Sequence, residues 1–104
     1  SSPEYRAAIK RLEAEYNDRL ATRQREIEAA AYKTMRQNVI LDSVDKRNIA
    51  AEAAERANRD LYANRLSKAD LADTISRYER EASEKVRDSK ASNALFNAMI
   101  RGEL

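Results

Sequence analysis

Between Tyr5 and Arg101 the chain contains neither glycine nor proline: the only proline is Pro3 and the only glycine is Gly102. A β protein reverses direction many times and needs turn residues throughout, drawn mostly from Gly, Pro, Asn and Asp. Without the two strongest of them, nearly the whole length is free to propagate helix. Composition points the same way. Ala is the commonest residue with 19 copies, and Arg, Glu, Leu and Lys add 14, 11, 8 and 6; all five are among the best helix formers. We therefore expect an all-α fold: an elongated antiparallel helical bundle or long helical hairpin with coiled-coil-like packing. At 104 residues it is expected to be a single domain. The opening Ser1-Ser2, without Met, reads as a piece of a longer protein or a processed chain.

Capping chemistry sets the expected helix limits. Ser2-Pro3-Glu4 is a good start, with a capping hydroxyl, a proline at the first helical position and an acid in the first turn. Asp42 and Ser43 are natural N-cap residues, and Asp45 stands three beyond Asp42. Ser67 with Asp70 three on resembles a capping box, flanked by Leu66 and Leu71 at the spacing of a hydrophobic staple. Gly102 fits the position just past a helix end. These signals predict helices over about 3–41, 45–65 and 68–101. Ser92 marks a possible break of the last one near 90–93.

The apolar residues of the first helix are Tyr5, Ile9, Leu12, Tyr16, Leu20, Ile27 and Ala31. Residues 5, 16 and 27 are spaced by eleven, as are 9, 20 and 31, the repeat of a straight or slightly right-handed rod. The second stretch carries Ala50, Ala51, Ala53, Ala54 and Ala57, small enough to let two helices approach closely. The third carries Leu71, Ile75 and Tyr78, and ends in the most apolar patch of the chain: Leu95, Phe96, Met99 and Ile100. That patch is either the lid of the bundle or a docking site. Leu, Ile, Val and Phe number only 18, a thin inventory for a free-standing monomer. Self-association or a helical protein partner would supply the missing buried surface.

The chemistry that is absent narrows function. There is no His, which removes the usual general base, the usual metal ligand and the His-dependent triads. There is no Cys, hence no thiol nucleophile or common zinc site, and the redox compartment stays open. No glycine loop exists to cradle phosphate. No apolar run is long enough for a membrane span. We therefore expect no enzyme, cofactor, metal or small-molecule substrate, but a structural or protein-interaction module: a rod, spacer or scaffold of a larger assembly, such as a toxin, secretion or phage component. The alternative is a nucleic-acid-contacting helical protein, because Arg outnumbers Lys 14 to 6 and Arg suits phosphate recognition. Lys46-Arg47-Asn48 begins like a basic region, but Glu52 and Glu55 follow at once. A helix tracking phosphates does not carry acids at that density.

Overall fold

The computed structural model describes residues 2–104 and is all helical: α1 Pro3–Gln37, α2 Ser43–Tyr62, a single 3-10 turn Lys68–Asp70, and α3 Leu71–Ile100. It is 77 Å long and only 16 Å thin. Its radius of gyration is 23.2 Å, against about 13 Å for a compact chain of about 100 residues.

Local chemistry accounts for the ends. The Ser2 hydroxyl accepts from the Tyr5 N–H at 3.1 Å. Asp42 and Asp45 form a reciprocal capping box. The Asp45 N–H donates to the Asp42 carboxylate at 2.7 Å, and the Asp42 N–H to the Asp45 carboxylate at 3.2 Å. Each pairing satisfies backbone donors that the first turn leaves without partners. Replacing Asp42 by Ala is expected to cost about 1 kcal/mol, read from the midpoint of thermal unfolding, because the Asp45 N–H loses its acceptor.

Several boundaries differ from the sequence expectation. α1 stops at Gln37, four residues before the expected end, and the connection occupies 38–42. Its path is held from α3, where the Arg87 guanidinium donates to the Val39 carbonyl at 3.2 Å. At the second break the Ser67 hydroxyl caps no backbone group. It donates instead to the Asp70 carboxylate at 2.9 Å, and a 3-10 turn precedes the α-helix. Leu66 and Leu71 nevertheless both pack on the core, as the staple spacing implies. The break considered near 90–93 is absent, since α3 runs unbroken and Ala91 is fully buried.

Two helices end alike. After α2, Asn64 takes a left-handed φ of 57°. The Arg65 N–H reaches the Asp60 carbonyl at 2.9 Å and the Asn64 N–H the Leu61 carbonyl at 3.1 Å. After α3, Gly102 takes φ 70°, with the Glu103 N–H on Ala98 and the Gly102 N–H on Met99 at 2.9 and 3.1 Å. Both are Schellman closures, which require a residue that tolerates the left-handed region. Asn64→Ala is expected to lose about 1 kcal/mol, because only Gly and, less well, Asn or Asp occupy that region cheaply. Asn64→Gly keeps or raises stability. Chemical denaturation of the pair checks this.

α3 is the central helix. Arg56 of α2 pairs with Glu81 at 2.8 Å, and Asp45 with Lys90 at 2.7 Å. Tyr32 of α1 bonds Asp88, and Arg36 pairs with Glu84. In both sets the numbers rise on one helix as they fall on the other, so α1 and α2 each run antiparallel to α3. α2 covers its N-terminal half and α1 its C-terminal half. The buried residues of α3 mark two different faces: Thr74, Tyr78 and Ala82, then Ala91 and Ala98. At 3.6 residues per turn these lie close to opposite sides of the helix. The helices thus form one staggered layer, and only where α1 and α2 overlap near 84–90 is it three helices wide.

Candidate functional site

The packed core is small and lies between α2 and α3. Ala53 and Ala57 of α2 are 1% and 0% exposed, and Tyr78 lies against them with Leu66, Leu71 and Ile75 around the edge. The methyl-sized side chains let the helix backbones come close enough for one tyrosine to fill the gap. The Tyr78 hydroxyl donates to the Asp60 carboxylate, and the Arg56 guanidinium lies 3.7 Å from the centre of its ring. That same Arg56 is held by Glu81, so Tyr78 is enclosed by alanines below and a paired cation above.

The first helix contrasts with this. α1 has no buried residue. Its partly covered side chains are Ala8 near the start and Glu28, Ala31, Tyr32, Met35 and Arg36 toward the end, and the latter group forms the face turned to α3. The Tyr5, Ile9, Leu12, Tyr16, Leu20 and Ile27 seam is rotated from that face by about a third of a turn. The seam is therefore uncovered even where α1 and α3 overlap: Leu20 is 47% and Ile27 40% exposed.

Counting back from the Tyr32–Asp88 pair, twelve residues along each helix, brings Ile100, the last residue of α3, level with Leu20. Residues 3–19 project beyond it as a lone arm, about 25 Å long at 1.5 Å per residue. Phe96, Met99, Ile100 and Leu104, also exposed, cluster at the base of the arm. Of the thirteen exposed large apolar side chains among the described residues, all but Ile40, Val44 and Tyr62 lie on the seam or in this cluster. Most of the uncovered apolar surface is thus gathered at one end of the rod.

The sequence-derived residues accordingly fall into two groups. Leu71, Ile75 and Tyr78 pack inside the chain against α2. Tyr5, Ile9, Leu12, Tyr16, Leu20, Ile27, Phe96, Met99 and Ile100 face outward, and Leu95 is half-buried beside Ala91 and Ala98. The Ala-rich stretch divides likewise, with Ala53 and Ala57 consumed by α3 and Ala50 and Ala51 left exposed. Sequence reasoning missed the contribution of Asp60, Arg56 and Glu81 to the Tyr78 setting. Their only local signal was the i, i+4 charge spacing, which speaks to helix stability rather than to a cross-helix contact.

The charged groups are structural ties. Asp45 is held below its ordinary value of 3.8, first by the Lys90 ammonium and then by the Asp42 N–H. Lys90 is correspondingly raised above 10.5 by Asp45. A carboxylate with a depressed folded value contributes stability that is present above its unfolded value and lost as pH falls through the folded one. The α2–α3 tie is therefore expected to hold above pH about 4 and to weaken below the ordinary 3.8. Acid titration of the helical signal checks this: Asp45→Asn flattens that part of the curve. The Tyr32 phenol is raised above 10.0, chiefly by its hydrogen bond to Asp88.

Among the described residues no group of three or more carboxylates is placed to hold a metal ion. No helix is long and apolar enough to cross a membrane. The groove between Asp18, Arg19, Thr22, Arg23 and Glu26 lies on α1 alone and is open to solvent. Comparison with protein-family models, curated proteins and solved structures yields no match.

Proposed function

We propose that this chain is a non-enzymatic helical rod, a spacer or scaffold piece, that docks onto a helix of another protein molecule through the apolar seam of its N-terminal arm. The observation that carries the reading is the arm itself. Four large apolar side chains of the arm, Tyr5, Ile9, Leu12 and Tyr16, with Leu20 at its base, recur on one exposed face of the helix. In proteins most helical stability comes from packing an amphipathic face, and a contiguous uncovered apolar face of this kind marks an interaction site. Burying each such side chain stabilises by about 1.5–3 kcal/mol. That is ample for docking and idle without it.

The Arg-rich surface supports nucleic-acid contact less well. Arg36, Arg56, Lys90 and Arg101 are each committed to a carboxylate of the chain itself. The test is site-specific photo-cross-linking in the cells that make the protein, with the probe at Leu12 and a control probe at exposed Arg59. The expected result is a discrete protein adduct from position 12 alone, abolished by Ile9→Asp with Leu20→Asp. An adduct to nucleic acid, or none at either position, would overturn the reading.

A further inference from the structure

The arm has an occupant that its own sequence describes. We propose that it pairs antiparallel with the arm of a second copy of this chain, about a two-fold axis passing between residues 10 and 11. This rests on the docking reading above and names the partner.

Three independent features select that register. The first is the seam. Tyr5, Ile9, Leu12 and Tyr16 follow spacings of 4, 3 and 4, so in heptad terms Tyr5 and Leu12 are d positions and Ile9 and Tyr16 are a positions. In an antiparallel pair a positions meet d positions. An axis between 10 and 11 sets Ile9 against Leu12 of the second copy and Tyr5 against Tyr16 of the second copy, leaving none of the four unmatched.

The second is charge. Arg6, Lys10 and Arg11 form a basic block, and Glu13, Glu15 and Asp18 an acidic one. Parallel in-register pairing lays each block on its own kind, whereas the antiparallel register brings Arg6 level with Glu15 of the second copy and leaves Lys10 and Arg11 beside the axis on outward-facing b and c positions. At the flanking positions that set partner orientation, Arg6 and Glu13 are both e positions, and e faces e in an antiparallel pair. The interface then holds Arg6–Glu13 twice by symmetry. A parallel pair sets Glu13 opposite Ala8 and Glu15 opposite Leu20, with no ion pair at all.

The third is length. The axis brings Pro3 of the second copy level with Asp18, just short of Leu20, where α3 ends. The pairing therefore uses the whole projecting segment, residues 3–19, and stops before either rod body would collide with the other. A closed two-fold pair results, with the same patch on both copies.

The test is sedimentation equilibrium at low ionic strength on exposed charge variants that leave the core untouched. The wild type is expected to be a reversible dimer. Arg6→Glu and Glu13→Arg each weaken it about tenfold, since two modest ion pairs become two repulsions. The double variant restores the affinity to within about threefold. A second measurement reads direction. The chain has no cysteine of its own, so Tyr5→Cys mixed with Tyr16→Cys is expected to give the mixed disulfide, while neither variant cross-links with itself. A monomer throughout overturns the inference and leaves the docking reading to its photo-cross-linking test. Self-cross-linking of Tyr5→Cys, or a double variant that stays weak, overturns the antiparallel register while the arm still docks on helices. A dimer indifferent to Ile9→Asp with Leu20→Asp overturns both.

Discussion

Replacing Tyr78 by Ala is expected to lower the stability of the rod by about 3–5 kcal/mol, the range for removing a buried aromatic ring. No other single truncation should cost as much. Tyr78 is the one large side chain in the buried cluster, and its neighbours Ala53 and Ala57 are too small to close over the void. Ordinary domains hold only about 5–15 kcal/mol in total, so the variant is expected to be largely unfolded near 37 °C. Tyr78→Phe keeps the ring beneath Arg56 and gives up only the hydroxyl on Asp60. Its expected cost is about 1 kcal/mol, because the half-exposed Asp60 carboxylate regains water. Urea unfolding followed by circular dichroism separates the two variants, and equal losses would place Tyr78 outside the core.

The second large effect comes from adding volume. Ala57 is fully buried against α3, and the close approach of the two helices depends on its size. Ala57→Leu is expected to cost about 1–3 kcal/mol through overpacking, although leucine is nearly as good a helix former as alanine. Ala50→Leu, on the exposed face of the same helix, is the control and should stay within about 0.5 kcal/mol of the parent. Identical behaviour of the two variants would mean that α2 and α3 do not pack through their alanines. The same unfolding curves supply the measurement.

Much of this architecture is legible in the residues because it rests on local chemistry. Ser2, the Asp42–Asp45 box and Gly102 each satisfy nearby backbone groups, and a reader of the sequence can place them without knowing what packs on what. The class of fold follows from the missing interior glycine and proline in the same way. The pieces that were not legible depend on partners distant in the chain. α1 ends at Gln37 rather than four residues later because the chain must cross α3, where Arg87 takes the Val39 carbonyl. Ser89, Ser92 and Asn93 suggest a weak point in α3, yet the helix continues. Its buried face passes there from the α2 side at Tyr78 and Ala82 to the α1 side at Ala91 and Ala98, and the polar residues fall where α2 runs out. Asn64 carries no clear sequence signal because asparagine serves equally in turns and on helix surfaces, and only its left-handed φ of 57° reveals a Schellman end.

The candidate surface was half legible. Periodicity finds an apolar face but not what covers it. Leu71, Ile75 and Tyr78 have the same spacing as Tyr5, Ile9 and Leu12, and only the topology assigns the first set to the chain's own core and leaves the second uncovered. The distinction arises from length: α3 ends level with Leu20, and α1 continues for another 17 residues, Pro3 to Arg19, beyond the end of that helix.

The most direct measurement is amide hydrogen exchange, followed by mass spectrometry across a hundredfold range of protein concentration. At the lowest concentration the arm, residues 3–19, is expected to exchange orders of magnitude faster than residues 53–57 and 74–82, because no packed helix holds it. As concentration rises, arm protection should grow, and Ile9→Asp with Leu20→Asp should remove that growth without changing the rod. The contradicting result is an arm as slow as residues 53–57 at the lowest concentration and unmoved by the Asp pair. That outcome would mean that the chain covers its own seam and has no free face to offer.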